Sequence, residues 1–257
     1  MVTLDDGRSA FVKAAADHLT ASSLRDEHLN YALFRGAPFL PGYLGWHDDG
    51  ELPVLVIEDL SRAAWPPPWT RTQVDAVLAA LDELHARPAP VGLPRAADER
   101  LGLRDGWREV AEAHEAFLAL GLCSPVWLEA YLETLLGAVR EVELDGDAPL
   151  HFDVRSDNVC FRDGRAILVD WNWASVGNPQ IDAAFWLPSL HAEGGPVPEE
   201  VLPNVDAGLA ACCAGFFCAH AARPPIPAAP GVRAVQLAQA RVALPWAARA
   251  LDLEPPL

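Results

Sequence analysis

The chain has 257 residues, 51% of them hydrophobic, and sets 19 Lys and Arg against 36 Asp and Glu for a formal net charge of −17. That charge disfavours nucleic acid and anionic membrane as partners and is compatible with a cationic small molecule, although solubility alone also accounts for an acidic surface. No window reaches about eighteen uninterrupted apolar residues and no signal peptide precedes the first strand, so a cytoplasmic protein is expected.

The N-terminus reads as a hairpin. Val2-Thr3-Leu4 and Ser9-Ala10-Phe11-Val12-Lys13 flank Asp6-Gly7, a two-residue turn signal. Counting from that turn pairs Val12 with Met1 and leaves Lys13 and Ala14 without partners. Ser22-Ser23 is expected to cap a helix running through Leu24, Glu27, Leu29, Leu33 and Phe34. Leu52 to Ile57 is a near-continuous apolar strand, and the tract from Trp65 to Trp69 with its three prolines makes a rigid exit from it. Thr70 reads as the N-cap of an amphipathic helix carrying Val74, Val77, Leu78, Leu81 and Leu84. Further helical patterns cover Trp107 to Leu120 and Pro125 to Val142. Glu129 and Glu133 on the second suit either an acidic cleft or a solvated face.

The stretch from Leu150 to Trp171 is the most informative. Asp163-Gly164 is a strong type I′ turn signal between Val159-Cys160-Phe161 and Ala166-Ile167-Leu168-Val169. A regular hairpin closed by that turn sets Asp157 opposite Asp170 and Asn158 opposite Val169. Its open end then gathers an amide and a carboxylate, with Asp153 one short loop upstream. Oxygen donors of this kind suit a hard cation such as Mg2+. Ideal alternation puts Asn158 and Asp170 on opposite faces, so the strand is expected to loosen near Asn158.

From Glu199 onward the chain is helical and apolar, broken by the Pro224 to Pro230 tract. Cys212, Cys213 and Cys218 with His220 could suggest a metal cluster, but they lie in an apolar helical run, and buried thiols are the better reading. The odd total of five cysteines fits reduced thiols.

The run from His151 to Asn158 resembles the catalytic loop of the protein-kinase-like fold, and Asp170 its metal-binding aspartate. Asp170-Trp171, followed by Gly177-Asn178-Pro179 and Asp182, is more similar to the aminoglycoside phosphotransferase family than to protein kinases. No A-P-E segment follows Asp170. Phe152 stands where that family usually has glycine. The resemblance implies an α+β, two-lobed protein-kinase-like fold with a shortened N-terminal β lobe and a large, mainly helical C-terminal lobe. Residues 1–60 would form the nucleotide-binding lobe, and residues 61–257 the lobe with catalytic loop, metal site and acceptor pocket.

It also implies roles. Asp153 would accept or orient the proton of an attacking hydroxyl, and Asn158 and Asp170 would hold Mg2+ against the phosphates. Lys13 would pair with the α- and β-phosphates and be oriented by Glu27, with Asp26 as the other candidate. The strand ending at Ile57, with Glu58 and Leu60 after it, resembles the hinge whose backbone groups hold the base. Arg155 would either neutralise charge on the transferring phosphoryl group or pair structurally with Asp157 or Asp153. His151, His85 and Asp182 read as structural. Trp171, Trp173, Phe185 and Trp186 read as core packing before acceptor stacking. The first strand and the glycine-rich loop of the family have no counterpart near the N-terminus, through either a native start further upstream or a genuine variant. The expected activity is transfer of a phosphoryl group from ATP (or GTP) to a hydroxyl of an antibiotic-like or other small metabolite. The alternative is a non-catalytic nucleotide- or metabolite-binding protein that keeps the fold.

Overall fold

The hairpin in the middle of the chain forms as its turn dictates. In the computed structural model, which describes residues 1–3, 7, 9–98 and 102–257, β6 (Val159–Arg162) pairs antiparallel with β7 (Arg165–Leu168), Arg162 facing Arg165 across the turn. Asp163 and Gly164 both have positive φ, 51° and 76°, as a type I′ turn requires. Beyond the strands, the Val169 N–H donates to the Asn158 carbonyl at 2.9 Å, so the counted register continues to that pair.

Contacts group the chain into two compact units: residues 1–93 with 148–175, and residues 94–147 with 176–257. The first unit opens with a four-stranded antiparallel sheet in the order β1-β2-β4-β3. Its strands are β1 (Val2–Thr3), β2 (Ser9–Ala14), β3 (Tyr43–His47) and β4 (Val54–Glu58). Val2 pairs with Ala10 and Thr3 with Ser9, which displaces the counted register by one residue. Gly7 has φ +83°, while Leu4, Asp5, Asp6 and Arg8 lie outside the described residues, so the Asp6-Gly7 turn is described only at its glycine. β2 outlasts β1 as counted, and Ala10 to Ala14 pair along their other edge with Glu58 to Val54.

Between β2 and β3 runs α1 (His18–Leu33). It begins a turn before the expected cap. Asp17 accepts the Thr20 N–H at 2.8 Å, and the Thr20 hydroxyl accepts the Asp17 N–H at 3.0 Å, closing a capping box that leaves Ser22 and Ser23 inside the helix. α2 (Arg71–His85) starts as expected, with Thr70 and Gln73 forming its capping box and Val74, Val77, Leu81 and Leu84 buried. After β5 (Ala148–Leu150) and the hairpin, Trp171–Trp173 form a short 3-10 turn. The hairpin is anchored within the unit: Phe161 exchanges main-chain hydrogen bonds with Ala64, and the Leu168 N–H donates to the Phe39 carbonyl. Leu60, Cys160 and Ile167 form a buried apolar knot beneath it.

The second unit is helical. α3 (Gly106–Glu112) and α4 (His114–Leu118) replace the single helix expected from Trp107 to Leu120, because the backbone leaves helical geometry at Ala113 (φ −124°, ψ 40°). α5 (Pro125–Glu141) starts at the Ser124 cap. Glu129 and Glu133 on it are exposed. The chain returns along β8 (Ser175–Gly177), and α6 (Gln180–Ala192), α7 (Pro198–Val201), α8 (Ala207–Ala222) and α9 (Val232–Ala250) follow. α3 and α8 approach so closely that a Cβ added to Gly106 would lie 2.1 Å from the Gly215 carbonyl carbon. All five cysteines are buried free thiols, and burial pushes Cys123 up to about 11 and Cys160 up to about 12. No described helix is long and apolar enough to cross a membrane.

Candidate active site

The open end of the β6–β7 hairpin is where side chains converge. Asn158, just ahead of β6, is 4% exposed and donates both amide hydrogens to Asp153, at 2.8 Å to the main-chain oxygen and 2.9 Å to Oδ2. One residue thus fixes both backbone and carboxylate of the loop aspartate. His151, fully buried, accepts the Asp153 N–H on Nδ1 at 3.3 Å and donates from Nε2 to the Val169 carbonyl at 3.0 Å, so it bonds backbone near the loop as expected. Burial raises the Asp153 pKa; Arg155 and His151 oppose that rise, while Asp170 and Asp157 add to it. A carboxylate so placed is a better proton acceptor than an ordinary surface aspartate.

Phe152 has φ +69°. That left-handed conformation is one a glycine adopts without cost and a bulky side chain adopts at about 1–2 kcal/mol, which gives a physical reason for glycine in the resembled loop. Arg155 spans two partners: Nη2 donates to Asp157 at 3.0 Å, and Nε lies 3.5 Å from Asp153 Oδ1. The structural pairing is therefore present.

Asp170 sits at the same open end, just past β7, in the left-handed region (φ 65°, ψ 59°). The strand loosens near Asn158 as expected, where a turn ends with the Asn158 N–H donating to the Arg155 carbonyl at 3.0 Å, and the backbone departs from strand geometry at Asp170 as well. Its Oδ1 accepts from Lys13 Nζ at 2.5 Å, and the same ammonium donates to Glu27 Oε2 at 2.6 Å. Of the two candidate partners on α1, Glu27 is the one that meets Lys13, and its side chain is 2% exposed. Burial pulls the Lys13 pKa down, but Glu27 and Asp170 outweigh it and the net shift is upward, so the ammonium stays charged. Burial raises Glu27, against the pull of Lys13.

Lys13, Glu27, Asn158 and Asp170 line one cavity of about 450 Å3 together with Ile57, Glu58 and Leu60. That volume falls in the range of small-molecule sites. Glu58 is already engaged: its carboxylate accepts the Gly42 N–H at 3.0 Å and pairs with Arg162, and its own N–H donates to the Gly42 carbonyl at 2.7 Å. Asp153 and Arg155 do not line the cavity; Asp153 is joined to it through Asn158. Phe11, Ser61, Trp65, Asp157 and Val169 also line it and were not singled out from sequence as lining residues. Phe11 was accessible to strand alternation, being two residues from Lys13 on β2. Trp65 was not: its indole N–H turns back to the Leu60 carbonyl at 3.0 Å, a local turn that composition does not encode.

The donors fit a hard divalent cation. Asn158 spends its amide hydrogens on Asp153, which turns its Oδ1 away from that residue, and Asp170 offers a carboxylate on the same cavity. Among the described residues, no group of three or more His, Cys, Asp or Glu could hold a metal ion by itself. Two protein oxygens leave room for phosphates and water, the arrangement Mg2+ favours.

The aromatic residues after Asp170 divide. Trp171 and Trp186 are fully buried, and Phe185 packs on Phe216 and Phe217, whereas Trp173 is half exposed.

The model of the phosphotransferase enzyme family matches residues 1–211, and the chain belongs to that family. Solved structures share its protein-kinase-like fold at low identity. An aminoglycoside phosphotransferase from Alicyclobacillus acidocaldarius is similar at a TM-score of 0.63 and 14% identity, over 97% of this chain and 87% of that one. A thermostable mutant of aminoglycoside phosphotransferase APH(4)-Ia, in a ternary complex with ADP and hygromycin B, reaches 0.56 and 18%, over 95% and 87%. Choline kinase LicA from Streptococcus pneumoniae reaches 0.56 and 16%, over 92% and 86%. No curated protein matches the sequence. By family the chain is a phosphotransferase, and its fold is protein-kinase-like.

Proposed function

We propose that the protein transfers the γ-phosphoryl group of ATP (or GTP) to a hydroxyl of a small molecule. The observation that carries this reading is the convergence of Lys13, Glu27 and Asp170 with the Asn158–Asp153 pair at one end of a single hairpin. In-line phosphoryl transfer asks mainly for positioning and charge stabilisation, and these side chains supply both. Asp153 takes the proton of the acceptor hydroxyl as that oxygen forms its bond to the γ-phosphorus. The bond from phosphorus to the bridging oxygen breaks, and its electron pair leaves on the nucleoside diphosphate. Lys13, held charged by Glu27, pairs with the α- and β-phosphates. Ile57, Glu58 and Leu60 line the end that takes the base, read by backbone groups. Asn158 and Asp170 would hold Mg2+, which when bound neutralises phosphate charge. Arg155, two residues from Asp153, can turn from Asp157 toward the transferring group, where a guanidinium stabilises developing charge.

Residues 1–60 serve nucleotide binding in this reading, and residues 61–257 supply the catalytic loop and the acceptor pocket. The acceptor is an antibiotic-like or related metabolite, and the net charge of −17 suits a cationic one. The structural relative holding ADP with hygromycin B supports that class. A cytoplasmic location goes with nucleotide supply. The experiment is a thermal shift with Mg·ATP and Mg·GTP, run beside ADP release over a library of hydroxyl-bearing small molecules, on the wild type, Asp153→Ala and Asp170→Ala. The wild type should be stabilised by nucleotide and turn over with some acceptor. A wild type indifferent to both nucleotides defeats the proposal, and binding without transfer to any acceptor supports the non-catalytic alternative.

A further inference from the structure

Asp170 is a non-glycine residue in the left-handed region, so its backbone must be held there by its surroundings. The ion pair with Lys13 fixes one carboxylate oxygen but not the backbone. Hydrogen bonds on either side do that. Upstream, the Val169 N–H donates to the Asn158 carbonyl, and the Val169 carbonyl accepts from His151. Downstream, the Trp171 indole N–H reaches back to the Leu168 carbonyl at 2.9 Å. The Trp171 carbonyl accepts from Asn30 Nδ2 at 2.6 Å, across 141 residues of sequence. Asn30 is 6% exposed and Trp171 fully buried, so this bond is shielded from water, and loss of the donor would leave the carbonyl only the long bond from the Ala174 N–H, at 3.4 Å.

Asn30 follows Glu27 by three residues, which puts both on one face of α1. Phe34, the residue that caps the end of α1, also packs here, its ring 5.1 Å from that of Trp171. One helix face therefore presents the carboxylate that pairs with Lys13 and the amide that holds the residue after Asp170. Asn30 does not line the cavity and touches no phosphate-binding side chain directly. We propose that Asn30 is a positioning residue: by holding the Trp171 carbonyl it sets the direction of the Asp170 carboxylate. Through it α1 couples the phosphate end of the site, Lys13 and Glu27, to the metal end. This inference rests on the phosphotransferase reading above.

The test is ADP affinity by titration calorimetry, with EDTA and with Mg2+, for the wild type, Asn30→Leu and Asn30→Gln. The wild type should bind ADP more tightly with Mg2+. Asn30→Leu, of similar volume but without the donor, should keep its affinity in EDTA and lose about tenfold of the Mg2+ enhancement. Asn30→Gln keeps the amide but displaces it by one methylene, and carries the same prediction should the leucine variant not fold. A merely structural Asn30 would lower the melting temperature and leave the enhancement intact, and that result overturns the inference alone. Equal loss in EDTA and in Mg2+ overturns it as well. A wild type with no metal-enhanced nucleotide binding overturns the phosphotransferase reading and this inference with it.

Discussion

The two compact units bury polar groups for different ends. In the first, Glu27, Asn30, His151 and Asn158 are all nearly inaccessible, and each bonds to Lys13, to Asp153 or to the backbone beside Asp170. In the second, Gln239 on α9 donates to Ser189 on α6 at 2.6 Å, and the Trp107 indole on α3 donates to the Ala211 carbonyl on α8 at 2.7 Å. These bonds join helix to helix and converge on no charged group. Burial of a polar side chain marks chemistry where its partners share a target, and packing where they do not.

The comparison breaks most visibly if a site carboxylate proves structural. Asp153→Asn should lower kcat about a thousandfold by removing the proton acceptor. It should leave the melting temperature unchanged or higher, since burial already disfavours the charge. Steady-state kinetics and a thermal melt read both. Gly106→Ala is the counterpart in the helical unit. Its Cβ meets the Gly215 backbone, so α3 and α8 must part, costing about 3 kcal/mol in urea denaturation, with ADP affinity of the folded protein retained. Gln239→Ala should cost about 1–2 kcal/mol by orphaning the buried Ser189 hydroxyl, again without kinetic effect.

Titration sharpens the contrast within the first unit. Asp153 must be ionised to accept a proton, and its raised pKa places the acid limb of kcat/KM above the ordinary aspartate value of about 4. Asp157 adds to that rise and Arg155 opposes it. Asp157→Asn should therefore move the limb to lower pH and Arg155→Gln to higher pH, whatever each does to the plateau. The smallest effect is expected at Trp65. Trp65→Phe keeps a ring at the cavity but loses the bond to the Leu60 carbonyl, which the Ala63 N–H still satisfies, so ADP should bind about threefold more weakly.

The site was legible in sequence wherever a local rule fixed its geometry. Asp163-Gly164 requires positive φ twice, and that constraint alone set the register that faces Asn158 with Val169. The count from Asp6-Gly7 slipped by one, because β1 pairs with β2 over just two residues and has little cross-strand packing to hold a register. The start of α1 was missed because Asp17 and Thr20 form a box without the usual Glu or Gln, and paired serines further on looked like the stronger cap. Lys13 and Glu27 were found through their place in a resembled pattern. Asn30 and Trp65 were not, since each acts through one main-chain carbonyl, and no pattern of residue types records a carbonyl's need for a donor.

Phosphoryl transfer to a hydroxyl at the hairpin end is the proposed chemistry on which the rest depends. Its most direct test is phosphorus NMR of Mg·ATP incubated with the protein and the acceptor found by library screening. A new phosphomonoester resonance should grow as the γ-phosphate signal declines, and none should form with Asp153→Asn. Nucleotide bound while its γ-phosphate stays in place, or goes to water alone with every acceptor, would contradict it.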